Sequence, residues 1–341
     1  MTRLITSEPN IRYLSGFTGS VGILVIRDNK SILIVDGRYT EQAASEVKKG
    51  IKVMEAPLTS SLLDTAIDLI KGKKPSTMGY EDDKMDSASF NKLKDRFPGA
   101  KFFSISKELR ALRLIKSIAE IDLIRKAALI ADLTYDCVIH IIKPGMTELE
   151  LSAHIDFLMK TFKASSPAFE TLVSSGKASS FPHGKPADKE LKKGGLVVMD
   201  FGARYKGYNS DITRMVSLGA PSKKQRAVYD AVISAQASAI AKVRHGIAAK
   251  DVDKAARNVL KKEKLDKYFS HGTGHGIGLQ VHEGPRVSLS SKDILKEGMV
   301  ITIEPGVYIP GVGGFRVEDM VLVKKGGCEV LTRSSKELAV L

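Results

Sequence analysis

The sequence predicts an α+β protein of two units, an α/β unit followed by a larger unit of helices and antiparallel hairpins. Three observations carry that prediction. At 341 residues the chain exceeds one ordinary core. Its first part alternates short apolar runs with amphipathic segments. The remainder joins capped helices to two long strand-rich stretches, LVVMDFGARYKGYNSDITRMVSL (196–218) and VITIEPGVYIPGVGGFRVEDMVLV (300–323).

Taken in order, GILVI (22–26) and SILIVD (31–36) flank RDNK, whose Asp28-Asn29 suits a two-residue hairpin turn. SLLDTAIDLIKG (61–72) reads as an amphipathic helix stopped by Gly72. This first unit, residues 1–112, offers no metal or nucleophile constellation. A boundary falls near residues 110 to 117, and the second unit spans 117–341. Ser117 and Glu120 form a capping box whose helix is expected to run to Lys143-Pro144-Gly145. Thr147 with Glu150 and Ser222 with Gln225 form two more, the last helix running to His245-Gly246. His245 then belongs to a helix C-terminus, where imidazole is favoured. His140 and His154 fall on predicted helices without acidic partners at ligand spacing and read as structural.

Composition narrows the class. Hydrophobic content of 43% and charged content of 27% are ordinary for a soluble protein. No apolar run approaches the roughly 18 residues of a membrane span, and MTRLITSEPNIRYLSG lacks the layout of a secretory signal. Cys137 and Cys328, neither in a CxxC, fit a reducing cytoplasm. The net charge of +14 invites a nucleic-acid partner, but the basic residues are scattered among acids and tryptophan is absent. A solvated basic surface, with no nucleic-acid and no membrane partner, is the expectation.

The chemistry lies in the two strand-rich stretches. A turn at Lys206-Gly207 sets Asp200 opposite Thr213, so Asp200 and Asp211 share a face as diagonal neighbours, about 7 Å apart at Cα. A loop centred on Gly311 sets Glu304 opposite Glu318, with Arg316 on the same face. Four converging carboxylates repel unless cations lie between them, and they balance two divalent ions. Oxygen-rich ligation completed by one imidazole suits Mn²⁺, Co²⁺ or Fe²⁺ better than a structural zinc. Such ions would stand about 3.5–4 Å apart, the spacing of two-metal hydrolases. HGTGHGIGLQVHEGP (271–285) gathers three of the seven histidines among five glycines, as a metal or substrate loop would.

Asp200, Asp211, His275, Glu304 and Glu318, set in SDITR, GHGIGLQVHE, EPGVY and RVED, resemble the dinuclear site of the pita-bread metallopeptidases. NIRYLSGFTGS and DGRYTEQA resemble the creatinase-type N-terminal domain, and FPHGKPADKEL the proline-specific branch. The resemblance covers nearly the whole chain. It implies a creatinase-like α/β domain followed by a pita-bread catalytic domain, and a cytoplasmic homodimer acting on proline-containing peptides. Asp200 would bind one metal, Asp211 and Glu318 would bridge, and His275 and Glu304 would bind the other. Mn²⁺ is the first expectation, with Co²⁺, Fe²⁺ or Zn²⁺ as alternatives. A hydroxide bridging the ions would be the nucleophile, and Glu304 would help move its proton. His183, His271 and His282 would contact substrate, and Arg316 would support a bridging acid.

Gly195 and Gln280 depart from residues common in the family, and neither is a ligand position. GFTGS and DGRY favour an Xaa-Pro aminopeptidase, with an Xaa-Pro dipeptidase (prolidase) as the alternative. The hairpin segment VYIPGVGGF contains no cation to hold a free proline carboxylate, which points the same way. Pita-bread proteins that bind histones or RNA have lost their ligands, and creatine hydrolysis does without them. All five are present here.

Overall fold

Two tight turns fix the registers that matter. Asp28 and Asn29 adopt φ of 47° and 64°, and Lys206 and Gly207 adopt 45° and 85°. Positive φ at both central residues gives the turn whose twist matches that of the strands it joins. The computed structural model describes residues 1–72 and 75–341, which divide into two units, Met1–Arg113 and Leu114–Leu341.

The first unit contains β1 (Thr2–Ile5), α1 (Glu8–Ser15), β2 (Ile23–Arg27), β3 (Lys30–Val35), α2 (Thr40–Glu46) and β4 (Ile51–Glu55). It continues with α3 (Leu62–Lys71), β5 (Thr77–Tyr80), α4 (Ser87–Arg96) and β6 (Lys101–Ser104), and α5 (Ser106–Leu114) closes it. The strands form one mixed sheet in the order β4-β3-β2-β1-β5-β6. Ser61 caps α3 by accepting from Asp64 N, and the helix stops at Gly72 as the sequence indicates.

The larger unit runs through a similar order of elements twice. Its first half holds α6 (Ile118–Val138), α7 (Glu148–Thr161), β7 (Ser166–Pro167), β8 (Leu172–Ser175), β9 (Leu196–Phe201), β10 (Ala203–Tyr205), β11 (Tyr208–Asn209) and β12 (Ile212–Ser217). Its second half holds α8 (Lys223–Ile240), α9 (Ala249–Lys262), β13 (Gly274–Gly276), β14 (Glu283–Val287), β15 (Val300–Ile303) and β16 (Gly306–Ile309). β17 (Gly313–Arg316), β18 (Asp319–Val323), β19 (Cys328–Val330) and β20 (Ala339–Val340) complete it. In each half a helix pair buries its apolar stripe against a hairpin sheet. Tyr135, Leu151 and Ile155 pack with Met199, Phe201 and Ile212. Val232, Val252 and Leu260 pack with Ile301, Phe315 and Val321. The strand pairs of this unit are antiparallel except β12 with β20. No helix among the described residues is long and apolar enough to cross a membrane.

All three capping boxes form, at Ser117, Thr147 and Ser222. Two helices end earlier than the sequence suggests. α6 stops at Val138 because its last turn tightens to short-range bonds, His140 N to Cys137 O and Ile141 N to Val138 O. His140 therefore lies beyond the helix, exposed, and His154 is exposed on α7. α8 stops at Ile240, and Val243 turns inward to be buried. The chain then leaves to bond distant segments, His245 N to Lys324 O and Gly246 N to Leu295 O. His245 is an exposed loop residue, accepting from Glu297 N at Nδ1.

Candidate metal centre

The registers bring the acids together. β9 and β12 set Asp200 opposite Thr213, and Asp211 stands one residue before β12. Ile303 pairs with Asp319 and Gly306 with Arg316, so the same register places Glu304 opposite Glu318. Asp211, His275 and Glu318 each present a ligand atom within 4.8 Å of the others. His275 Nε2 lies 3.6 Å from Asp211 Oδ2 and 3.4 Å from Glu304 Oε1. These gaps are too long for good hydrogen bonds. They match the roughly 3–3.6 Å between two ligands that share one cation at bond lengths near 2.1 Å.

Each acid's surroundings say the same. Asp200 and Glu318 each have one oxygen tethered and one buried without a hydrogen-bond partner: Oδ1 of Asp200 and Oε1 of Glu318. Burial, and then the charges of the neighbouring acids, hold the Asp211 and Glu318 carboxyls well above the usual carboxylate range. Burial also raises Glu304, against the opposing influence of His271 and Arg316. Buried acceptors without donors, in mutually repelling carboxylates, fit a site for divalent cations.

The His275 ring is oriented as a metal ligand would be. Its Nδ1 lies 3.1 Å from the carbonyl of Gly276, which only accepts, so the proton sits on Nδ1 and Nε2 is free toward the acids. Burial lowers its pKa, which keeps the ring neutral. The loop can approach this closely because it is glycine-framed. A Cβ on Gly274 would stand 1.9 Å from Thr302 O, and one on Gly276 would stand 1.8 Å from Gly284 O.

Arg316 organises the inner wall. Its Nη2 pairs with Asp200 Oδ2, and its Nε donates to Thr213 Oγ1 at 3.0 Å. Thr213 in turn donates to Glu318 Oε2 at 2.8 Å. Contact is thus direct with Asp200 and relayed to Glu318. Burial alone would depress the Arg316 guanidinium, but Asp200 and Tyr308 outweigh it and hold the group strongly charged.

The remaining histidines differ from one another. His271 Nδ1 lies 2.8 Å from Gly272 O, and its Nε2 lies 2.8 Å from the Tyr308 hydroxyl, which accepts from Arg316 Nη1 at 2.8 Å. Both ring nitrogens of His271 are engaged by these contacts. His282 sits at the rim, its ring 4.3 Å from that of His275. Partial burial and then the His275 ring hold its pKa below the ordinary value. His183 is exposed, next to Pro182, whose carbonyl accepts from Arg316 Nη1 at 3.1 Å.

Several partners escaped the sequence reading. Besides Thr213 and Tyr308, Asp253 on α9 accepts from Thr273 N and Oγ1, fixing the histidine loop. Arg257, on the same helix, donates to Asp253 and to the carbonyl of His271. Behind the acids, the fully buried Asp319 accepts from Arg214, Thr332, Gln236 and Lys336. Arg214 and Asp319 close the SDITR and RVED stretches, so their position beside the acids was the available signal. Arg286 is directly opposite His275 in the β13–β14 ladder, and it is exposed.

Residues 122–325 match the model of metallopeptidase family M24, and residues 2–115 match the creatinase/prolidase N-terminal domain. The chain belongs to metallopeptidase family M24. The sequence is 39% identical over 337 residues to an Xaa-Pro dipeptidase of Pyrococcus horikoshii, covering 98% of this chain and 93% of that one. An Xaa-Pro dipeptidase structure from Bacillus anthracis superposes with a TM-score of 0.95 at 37% identity, covering 100% of this chain and 95% of that one. An X-Pro aminopeptidase structure from Thermotoga maritima superposes at 0.92 and 36%, covering 100% and 97%. The M24 fold, a creatinase N-domain followed by a pita-bread domain, agrees with the sequence reading, and the family implies a dinuclear metal site.

Proposed function

We propose that this M24 metallopeptidase is an Xaa-Pro dipeptidase, hydrolysing the single peptide bond before a C-terminal proline. The observation that carries the choice is Arg286. Directly opposed residues of an antiparallel pair project from the same face, so Arg286 stands on the His275 side as an exposed cation. A dipeptidase needs such a cation for the free proline carboxylate, and the Glu304–Glu318 hairpin has none apart from Arg316, which is committed to Asp200. The dipeptidase names among the similar proteins support the same reading.

Asp200, Asp211, His275, Glu304 and Glu318 would hold two divalent cations, Mn²⁺ in first place, with Asp211 and Glu318 shared between them. When bound, the cations supply Lewis acidity that polarises the peptide carbonyl and activates water at neutral pH. Glu304, ionised when the cations are bound, would take a proton from the attacking water and return it to the departing proline nitrogen. His282 and His183 donate toward the carbonyl oxygen as it gains negative charge. Arg286 orients the proline carboxylate. The amide before proline has no N–H, so a site that grips the carbonyl and both termini loses nothing by its absence.

The second reading, an Xaa-Pro aminopeptidase, is supported by the likeness to the Thermotoga maritima structure and by the N-terminal motifs. Mn²⁺-loaded protein offered Xaa-Pro and Xaa-Pro-Yaa side by side separates the two. The dipeptide is expected to be cut faster, and Arg286→Met should raise its KM while sparing the tripeptide. Tripeptide cleavage at least as fast as dipeptide cleavage, indifferent to Arg286, gives the aminopeptidase reading instead.

A further inference from the structure

A second buried ion pair lies outside the acid cluster. Lys116 Nζ stands 2.8 Å from Glu283 Oε1, with side chains only 1% and 5% exposed. Lys116 is itself held on both sides. Its backbone N–H donates to Gly298 O at 2.9 Å, and the next residue is Ser117, the capping residue of α6. The ammonium therefore projects from a fixed point of the fold.

Glu283 opens β14 at an irregular place. His275 pairs with Arg286, but Gly276 pairs with Glu283, so the ladder shifts register between them. A register shift re-aims the side chains around it. Glu283 turns away to Lys116. His282, the residue before it, goes the other way and brings its ring to 4.3 Å from His275. Arg286, just past the irregularity, emerges opposite His275. A pair this deeply buried adds little net stability compared with apolar side chains of the same size. A hydrogen-bonded charge pair can also favour one orientation of the strand.

We infer that Lys116 is a positioning residue: acting through Glu283, it locks the β14 irregularity so that His282 and Arg286 both face the His275 side of the site. The consequence for substrate follows from the proposed peptidase reading, on which this part rests. Loss of the lock loosens the grip on the peptide without removing any metal ligand. A small misplacement of orienting groups is enough to slow an enzyme about ten- to a hundredfold.

The test uses the full chain with Lys116→Met, Lys116→Arg and the double variant Lys116→Met/Glu283→Met. Metal content, thermal midpoint in EDTA, kcat and KM for an Xaa-Pro dipeptide, and hydrogen–deuterium exchange are measured for each. Lys116→Met should keep its metals, lower its thermal midpoint, raise KM about tenfold or more, and exchange faster at residues 280–287. Lys116→Arg should recover most of the KM. The double variant should recover the thermal midpoint yet keep the raised KM and the fast exchange. If Lys116→Met does not fold, the double variant carries the comparison. Recovery of KM together with stability in the double variant overturns the inference, because the pair would then be structural only. Unchanged exchange at 280–287 in both variants also overturns it. Should the parent cut no Xaa-Pro bond, the functional reading fails, and the exchange measurement still decides the role of Lys116.

Discussion

Asp211→Asn should stabilise the metal-free protein while crippling the metal-loaded one. Asp211 is 5% exposed, and burial, Glu318, Asp200 and Glu304 all push its carboxyl upward. Keeping it ionised near neutral pH therefore opposes folding unless cations are bound. Asparagine keeps the shape, removes the charge, and brings an N–H₂ group into a cluster with unpartnered carboxylate oxygens. Uncompensated buried charge costs several kcal/mol per ion in real proteins, and relief of part of it gives about 1–3 kcal/mol. For a unit of this size that is about 2–12 °C in thermal midpoint. The sign with pH follows from linkage. The folded pKa lies above the unfolded one, so the carboxyl's contribution is complete below the ordinary aspartate range and lost as pH rises through the raised value. Parent and variant should therefore differ at pH 7.5 and converge toward pH 4. With excess Mn²⁺ the order should invert, since only the parent keeps the full ligand set. Circular-dichroism melts in EDTA and in Mn²⁺, at both pH values, measure all of this. An asparagine variant less stable than the parent in EDTA at pH 7.5 would refute the reasoning.

Chelation should abolish peptide hydrolysis and Mn²⁺ or Co²⁺ should restore it; full activity in protein shown metal-free by elemental analysis contradicts the site. Thr213→Val removes the link between Arg316 and Glu318. It should weaken metal binding about 10- to 100-fold by titration and lower stability by about 1–3 kcal/mol. Arg214→Met strips a 1%-exposed cation from the fully buried Asp319. Urea unfolding should show a loss near 3 kcal/mol, at the low end for a broken buried pair of about 3–5, because Lys336, Gln236 and Thr332 still reach that acid.

The registers were legible because they rest on local chemistry. Lys206-Gly207 and Asp28-Asn29 could turn in one way, and every pairing beyond them followed. The capping boxes were legible for the same reason. Helix ends were not, since α6 tightens into short-range bonds in its last turn and the chain after α8 turns aside to bond distant segments. Nor was the inner wall: Thr213 and Tyr308 look like ordinary strand residues until Arg316 reaches both. His271 shows the limit most clearly. The family resemblance implied a substrate contact for it, and only three dimensions show the partners of its two ring nitrogens.

The parallel pairing of β20 with β12 has a bearing on how the chain is made. Val216 pairs with Ala339 and Ser217 with Val340, and Leu341 N donates to Ser217 O. The strand that begins beside Asp211 thus keeps an open edge until residues more than a hundred positions downstream have left the ribosome. During vectorial synthesis the first half's sheet cannot close on itself, and an unpaired edge is a template for pairing with a neighbouring chain. The acids of the second hairpin arrive late as well. The acid cluster is therefore assembled only after both halves exist to share it.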